Sequence, residues 1–152
     1  MPEILDLSQP HSLYLPDEAA TIALGGRIAP WLKAGDVIYL QGELGMGKSS
    51  LARAIIRALT NPDQDVPSPT FTLMQTYDSH GFEIVHLDLY RLKAPEEAYE
   101  LALDDILPHS VLLIEWPQRL EHLGYTDRLD ITLEQSSRGG REVTLTPHGG
   151  FR

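Results

Sequence analysis

A chain of 152 residues with 12 Lys and Arg against 22 Asp and Glu carries a formal charge of −10. That charge argues against a surface that grips nucleic acid unaided, because neutralising phosphates takes a basic face. With no cysteine, disulfides, thiol nucleophiles and cysteine-bound zinc are excluded, and the 42% apolar share suits one soluble domain over residues 1–152.

No apolar run nears the roughly 18 residues of a membrane helix. The opening Met1–Asp6 lacks the basic start and apolar stretch of a signal peptide, so a cytoplasmic address is expected. Glu3–Leu7 reads as an opening strand. Leu15-Pro16-Asp17-Glu18 reads as a helix start, with proline and acids where a first turn favours them, and the helix should reach about Trp31. Gly35 breaks the chain before Val37–Leu40, a short apolar strand of the buried kind. A glycine-rich loop follows, then a helix from Lys48 to about Leu59. Phe71–Tyr77 and Phe82–Tyr90 are strand patterns joined as a hairpin by Asp78-Ser79-His80-Gly81. Pro95-Glu96-Glu97 opens another helix, Val111–Ile114 is a second buried strand, and Leu129–Leu133 and Glu142–Thr146 close the chain. Strands alternating with helices, with a few hairpins, predict an α/β fold: a mixed β-sheet flanked by helices.

The strongest signal is Gly42-Glu43-Leu44-Gly45-Met46-Gly47-Lys48-Ser49, a full match to G-x-x-x-x-G-K-[ST] between an apolar strand and an amphipathic helix. Glycines let the backbone curl so that several N–H groups face one phosphate cluster, and the helix start adds partial positive charge. Lys48, expected to be exposed at the loop, should reach the β- and γ-phosphates, and the Ser49 hydroxyl should ligate Mg²⁺. Such a loop also needs an acid at a neighbouring strand end, and two residues qualify. Glu115 ends Val111–Ile114, and Asp88 ends Ile84–Leu87, each at the edge where open α/β sheets bind ligands. Either acid could ligate the metal while the other holds a water or acts as base. The bland alternatives are a helix-start acid at Glu115 and a salt bridge to Arg91 at Asp88.

Other signals are weaker. Thr70, in Ser68-Pro69-Thr70-Phe71, could sense the γ-phosphate as a switch residue, or belong to a plain loop. His86 shares a strand face with Asp88 and reads as a hydrogen-bonded core histidine. The six histidines show no metal-like spacing, so no zinc is expected.

The ordered segments Gly42–Ser49, Ser68-Pro69-Thr70-Phe71-Thr72-Leu73, His86-Leu87-Asp88-Leu89-Tyr90-Arg91-Leu92 and Ile114-Glu115-Trp116-Pro117 resemble the TsaE family, also called YjeE. The likeness runs from about residue 15 to about residue 147, and it is the combination that is specific. It implies a P-loop NTPase-like ATPase working with the TsaB and TsaD proteins to form threonylcarbamoyladenosine next to the anticodon of tRNA. By that likeness Ser49 and Glu115 would be Mg²⁺ ligands, Asp88 and Trp116 would be needed for turnover, and Glu18 and Arg141 would contact ATP beside the loop. Three departures stand out. Ser49-Ser50 replaces the usual threonine pair, Met46 replaces a common alanine, and Ala102 stands where glycine is frequent. Neither substitution in the loop removes a needed group. Two other readings compete: a small-molecule kinase, which would want an arginine-rich lid that is not evident, and a binding module that holds nucleotide without turnover.

Overall fold

The computed structural model describes residues 5–43, 45–69 and 73–151. Its elements are β1 (His11–Leu15), α1 (Glu18–Ile28), β2 (Val37–Gln41), α2 (Lys48–Leu59), β3 (Met74–Asp78), β4 (Glu83–Asp88), α3 (Leu103–Ile106), β5 (Ser110–Glu115), β6 (Arg128–Gln135) and β7 (Arg141–His148). The strands form one seven-stranded mixed sheet in the order β1-β7-β6-β2-β5-β4-β3. β2 lies parallel to both β5 and β6, and β4 lies parallel to β5, while the outer pairs are antiparallel.

The central strands are covered on both faces, which is why Val37–Leu40 and Val111–Ile114 are continuous apolar runs rather than alternating ones. Ile38, Leu40, Val111, Leu113 and Ile84 pack in one cluster with Leu24 and Ile28 of α1 and Leu51, Ile55 and Ile56 of α2. Val37, Tyr39, Leu112, Ile114 and Leu87 face the other way, toward Ala98, Leu103 and Leu120 in the short helical turns. Each such leucine or isoleucine, when fully buried, contributes roughly 1.5–3 kcal/mol relative to exposure. α1 and α2 pack closely because Gly25 has no side chain: a Cβ there would lie 2.5 Å from the Cβ of Ala54. Asp17 caps α1, its carboxylate accepting the Ala20 N–H at 2.9 Å, as the expected helix start requires.

The expected opening strand at Glu3–Leu7 is corrected. Glu3 and Ile4 lie outside the described residues, and Leu5–Leu7 pair with no strand. The Asp6 carboxylate accepts the Ser8 N–H (2.9 Å) and hydroxyl (2.6 Å), so the chain turns while Leu5 and Leu7 plug the core. The edge strand is β1, antiparallel to β7. The hairpin forms as β3 and β4. Of the expected strand Phe71–Tyr77, residues 71 and 72 lie outside the described residues, and Leu73 precedes β3 at φ 66°. The helix opened by Pro95 is a 3-10 helix over Pro95–Leu101, ended by Ala102 in the left-handed region at φ 53°.

Candidate functional site

β2 delivers the chain into the glycine loop at the carboxyl edge of the sheet, and α2 carries it away. Gly42 has φ 141°, and a Cβ there would sit 2.5 Å from the Leu133 carbonyl oxygen, so only glycine lets the loop leave β2 this way. Gly45 and Gly47 also have positive φ, and Gly47 is the residue from which α2 starts. Leu44 lies outside the described residues, as does Thr70.

Lys48 departs from expectation. It is buried, at 5% exposure, because its ammonium donates to the carbonyls of Gly42 and Glu43 and lies 3.8 Å from the ring centroid of Trp116. Burial holds its pKa below the ordinary lysine value of 10.5, and the Glu115 and Asp88 carboxylates pull it partly back. Trp116 reaches this position through a left-handed backbone, φ 59°, directly after β5. The Tyr90 ring sits 4.9 Å from it.

The two strand-end acids arrive together. Asp88 and Glu115 are register partners on parallel β4 and β5, so their side chains share the α2 face of the sheet. Both are buried. The Ser49 hydroxyl, in the first turn of α2, donates to Glu115 Oε1 at 3.1 Å and lies 3.3 Å from Oε2. Glu115 Oε2 also lies 2.6 Å from His86 Nε2. Asp88 Oδ1 accepts the Tyr90 N–H at 3.0 Å, a turn that ends β4 at the acid. The Asp88 N–H is itself held by the Leu73 carbonyl at 3.0 Å. Glu115 therefore ends a strand and does not start a helix.

A cavity of about 300 Å³ lies over these groups. Gly45, Gly47, Lys48, Ser49 and Ser50 form its loop side, and Asp88, Glu115 and Trp116 its facing wall. A second cleft of about 340 Å³ shares Gly45, Gly47 and Ser50 with it, and adds Met46, Glu18 and Arg141. Arg141 donates to the Gly45 carbonyl at 3.1 Å, so β7 is tied to the loop across the sheet edge. Together the two clefts bring every described candidate residue around one loop except Gly42 and Glu43. Glu43 lines a larger cavity of about 650 Å³ beside Tyr39, on the opposite face of the sheet.

The donor chemistry fits a hard divalent cation, since Ser49 and Glu115 present oxygens and Asp88 opens on the same cavity. Among the described residues, no group of three or more His, Asp or Glu side chains could cage a metal. A magnesium ion that draws most ligands from water and phosphate needs no such cage. His86 is the hydrogen-bonded core histidine that the sequence reads, but its partner, Glu115, depends on the register between β4 and β5 and is not legible locally.

A glycine loop between a central parallel strand and an amphipathic helix, facing acids on two neighbouring parallel strands, defines a P-loop NTPase-like fold. The model of the family "Threonylcarbamoyl adenosine biosynthesis protein TsaE" matches residues 15–143. The chain belongs to the TsaE family, which takes part in tRNA threonylcarbamoyladenosine biosynthesis. It is 41% identical to the tRNA threonylcarbamoyladenosine biosynthesis protein TsaE of Rickettsia felis over 122 residues, covering 80% of this chain and 71% of the relative. It is 33% identical to the Bacillus subtilis protein of the same name over 135 residues, covering 88% and 82%. The crystal structure of Bacillus subtilis YdiB superimposes with a TM-score of 0.76 at 26% identity, over 93% of this chain and 87% of that one. Among the described residues, no helix is long and apolar enough to cross a membrane.

Proposed function

We propose that this chain binds Mg·ATP and hydrolyses it slowly, as a cytoplasmic accessory ATPase that supports the TsaB–TsaD complex in forming threonylcarbamoyladenosine next to the anticodon of tRNA. The observation that carries this reading is the convergence of Lys48, Ser49, Glu115 and Asp88 on one cavity beside the glycine loop. Backbone N–H groups of the loop and the start of α2 would hold the phosphates, with Lys48 supplying the positive charge. Ser49 and Glu115 would hold magnesium, which supplies charge neutralisation at the phosphates. Asp88 would orient and deprotonate the attacking water, and Trp116 would pack over Lys48 and exclude bulk solvent. Glu18, Ser50 and Arg141, around the adjoining cleft, would take the remainder of the nucleotide. Thr70 would report the γ-phosphate outward through the loop that precedes β3. With a formal charge of −10, the chain would meet tRNA only through its partners.

Titration of a fluorescent ATP analogue into wild type and Lys48→Ala tests the binding step. The expected outcome is magnesium-dependent binding by wild type and a loss of at least about tenfold in affinity in a folded variant. Equal affinity would refute the assignment. Binding without phosphate release, even with TsaB and TsaD present, would favour the binding-module reading.

A further inference from the structure

We propose that His86 is a positioning residue for Glu115, orienting that carboxylate toward Ser49 for magnesium; this deepens the nucleotide-site reading and rests on it. The contact is short, 2.6 Å between His86 Nε2 and Glu115 Oε2, and both side chains are almost wholly buried, at 1% and 3% exposure. An ionised carboxylate can only accept, so in the proposed tautomer Nε2 carries the proton and donates it to Oε2. His86 lies two residues before Asp88 on β4, level with Leu113 of β5, and approaches Glu115 from the sheet side. Ser49 approaches the same carboxylate from α2. Glu115 is thus gripped from two directions, with Oε2 anchored by the imidazole and Oε1 nearer the serine hydroxyl.

The other ring nitrogen separates this residue from an ordinary core histidine. His86 Nδ1 is buried and has no hydrogen-bond partner among the described residues. Buried polar atoms are normally satisfied, and an apolar side chain would fill this strand position without leaving one orphaned. Among the described residues, the hydrogen bond of the imidazole is the one to Glu115. Outer-shell donors of this kind fix a metal ligand's orientation, and their loss typically lowers metal affinity by about 10- to 100-fold.

The test measures binding of a fluorescent ATP analogue against Mg²⁺ concentration, and in chelator, for wild type, His86→Leu and His86→Gln. The glutamine amide can place an N–H close to where Nε2 stands; leucine cannot. In His86→Leu the half-saturating Mg²⁺ concentration should rise by about 10- to 100-fold, with magnesium-free binding unchanged. In His86→Gln it should stay within about threefold of wild type. Wild-type magnesium dependence in folded His86→Leu, or no recovery in His86→Gln, would overturn the assignment while leaving the nucleotide site intact. Wild-type binding that ignored magnesium would overturn both. Should His86→Leu fail to fold, the nitrogen NMR spectrum of wild-type His86 decides: a proton on Nε2 supports the assignment and a bare Nε2 overturns it.

Discussion

Asp88 and Glu115 stand directly opposite each other in the register of β4 and β5, both buried and both on the face that α2 covers. Their partners differ. Glu115 is held by Ser49 and His86, and the Asp88 carboxylate accepts the Tyr90 N–H in the turn that follows. The Ser49 contact motivates the proposed placing of the metal at Glu115, with proton transfer proposed for Asp88. Glu115→Ala should weaken magnesium-dependent ATP binding by at least about tenfold. Asp88→Ala should leave binding near wild type and lower phosphate release by about 100-fold or more. Nucleotide titrations and single-turnover hydrolysis distinguish the two, and the opposite pattern would exchange the roles.

Lys48 offers a prediction about the nucleotide-free protein. Its ammonium is buried against Trp116 and two backbone carbonyls, and burial lowers its pKa from 10.5. The folded state therefore takes up this proton less readily than the unfolded chain. The resulting cost is fully present below the folded pKa and vanishes as pH rises through the window ending at 10.5. Lys48→Met, which keeps the volume and removes the charge, should be as stable as wild type or up to about 1 kcal/mol more stable near neutral pH. The difference should shrink as the pH approaches 10.5, while ATP binding stays impaired throughout. Urea unfolding of both proteins across that range checks the sign; a gap that widens with pH would contradict it.

The parts legible in the sequence were those encoded locally. The loop Gly42–Ser49 has fixed spacing, and acids that end apolar runs mark strand ends, so these residues stand out without any knowledge of their neighbours. Other features depend on long-range register and packing. Lys48 reads as exposed because its motif belongs to a loop, yet Trp116, 68 residues further along, covers it. The contact of His86 with Glu115 needs the β4–β5 register, which no local pattern carries. Leu5–Leu7 has the composition of a strand, but the Asp6–Ser8 turn defeats extension. Left-handed backbone at Leu73, Ala102 and Trp116 is equally invisible, since none of these is a glycine.

Ala102 connects two short helices with φ 53° and ψ 41°, and it is exposed. A Cβ in the left-handed region costs roughly 1–2 kcal/mol, part of which glycine returns through its greater unfolded-state freedom. Ala102→Gly should therefore stabilise the fold by about 0.5–1 kcal/mol, without touching the cavity at the loop. Chemical denaturation gives the stability and an ATP titration gives the control. Destabilisation would show that the left-handed turn is not the conformation adopted in solution.

The described residues form one sheet, and the glycine loop opens to solvent through the two clefts that share Gly45, Gly47 and Ser50. Trp116 would shield only the Lys48 side of a site so open to water, and fuller exclusion would strengthen every electrostatic contact to the phosphates. Docking against TsaB–TsaD would supply the missing wall, and the segment around Thr70 would let that complex respond to the γ-phosphate. ATP would then favour one docked arrangement and hydrolysis would release it, an effect as large as the difference in ATP affinity between the two arrangements. Alone, the protein should release phosphate slowly, and addition of TsaB and TsaD should accelerate it by at least about tenfold. In reconstituted tRNA modification, wild type should support repeated turnover, while Lys48→Ala should match a mixture without the chain. Equal modification in all three mixtures would refute the accessory role even if ATP binding had been established, because the partners would then be complete without it.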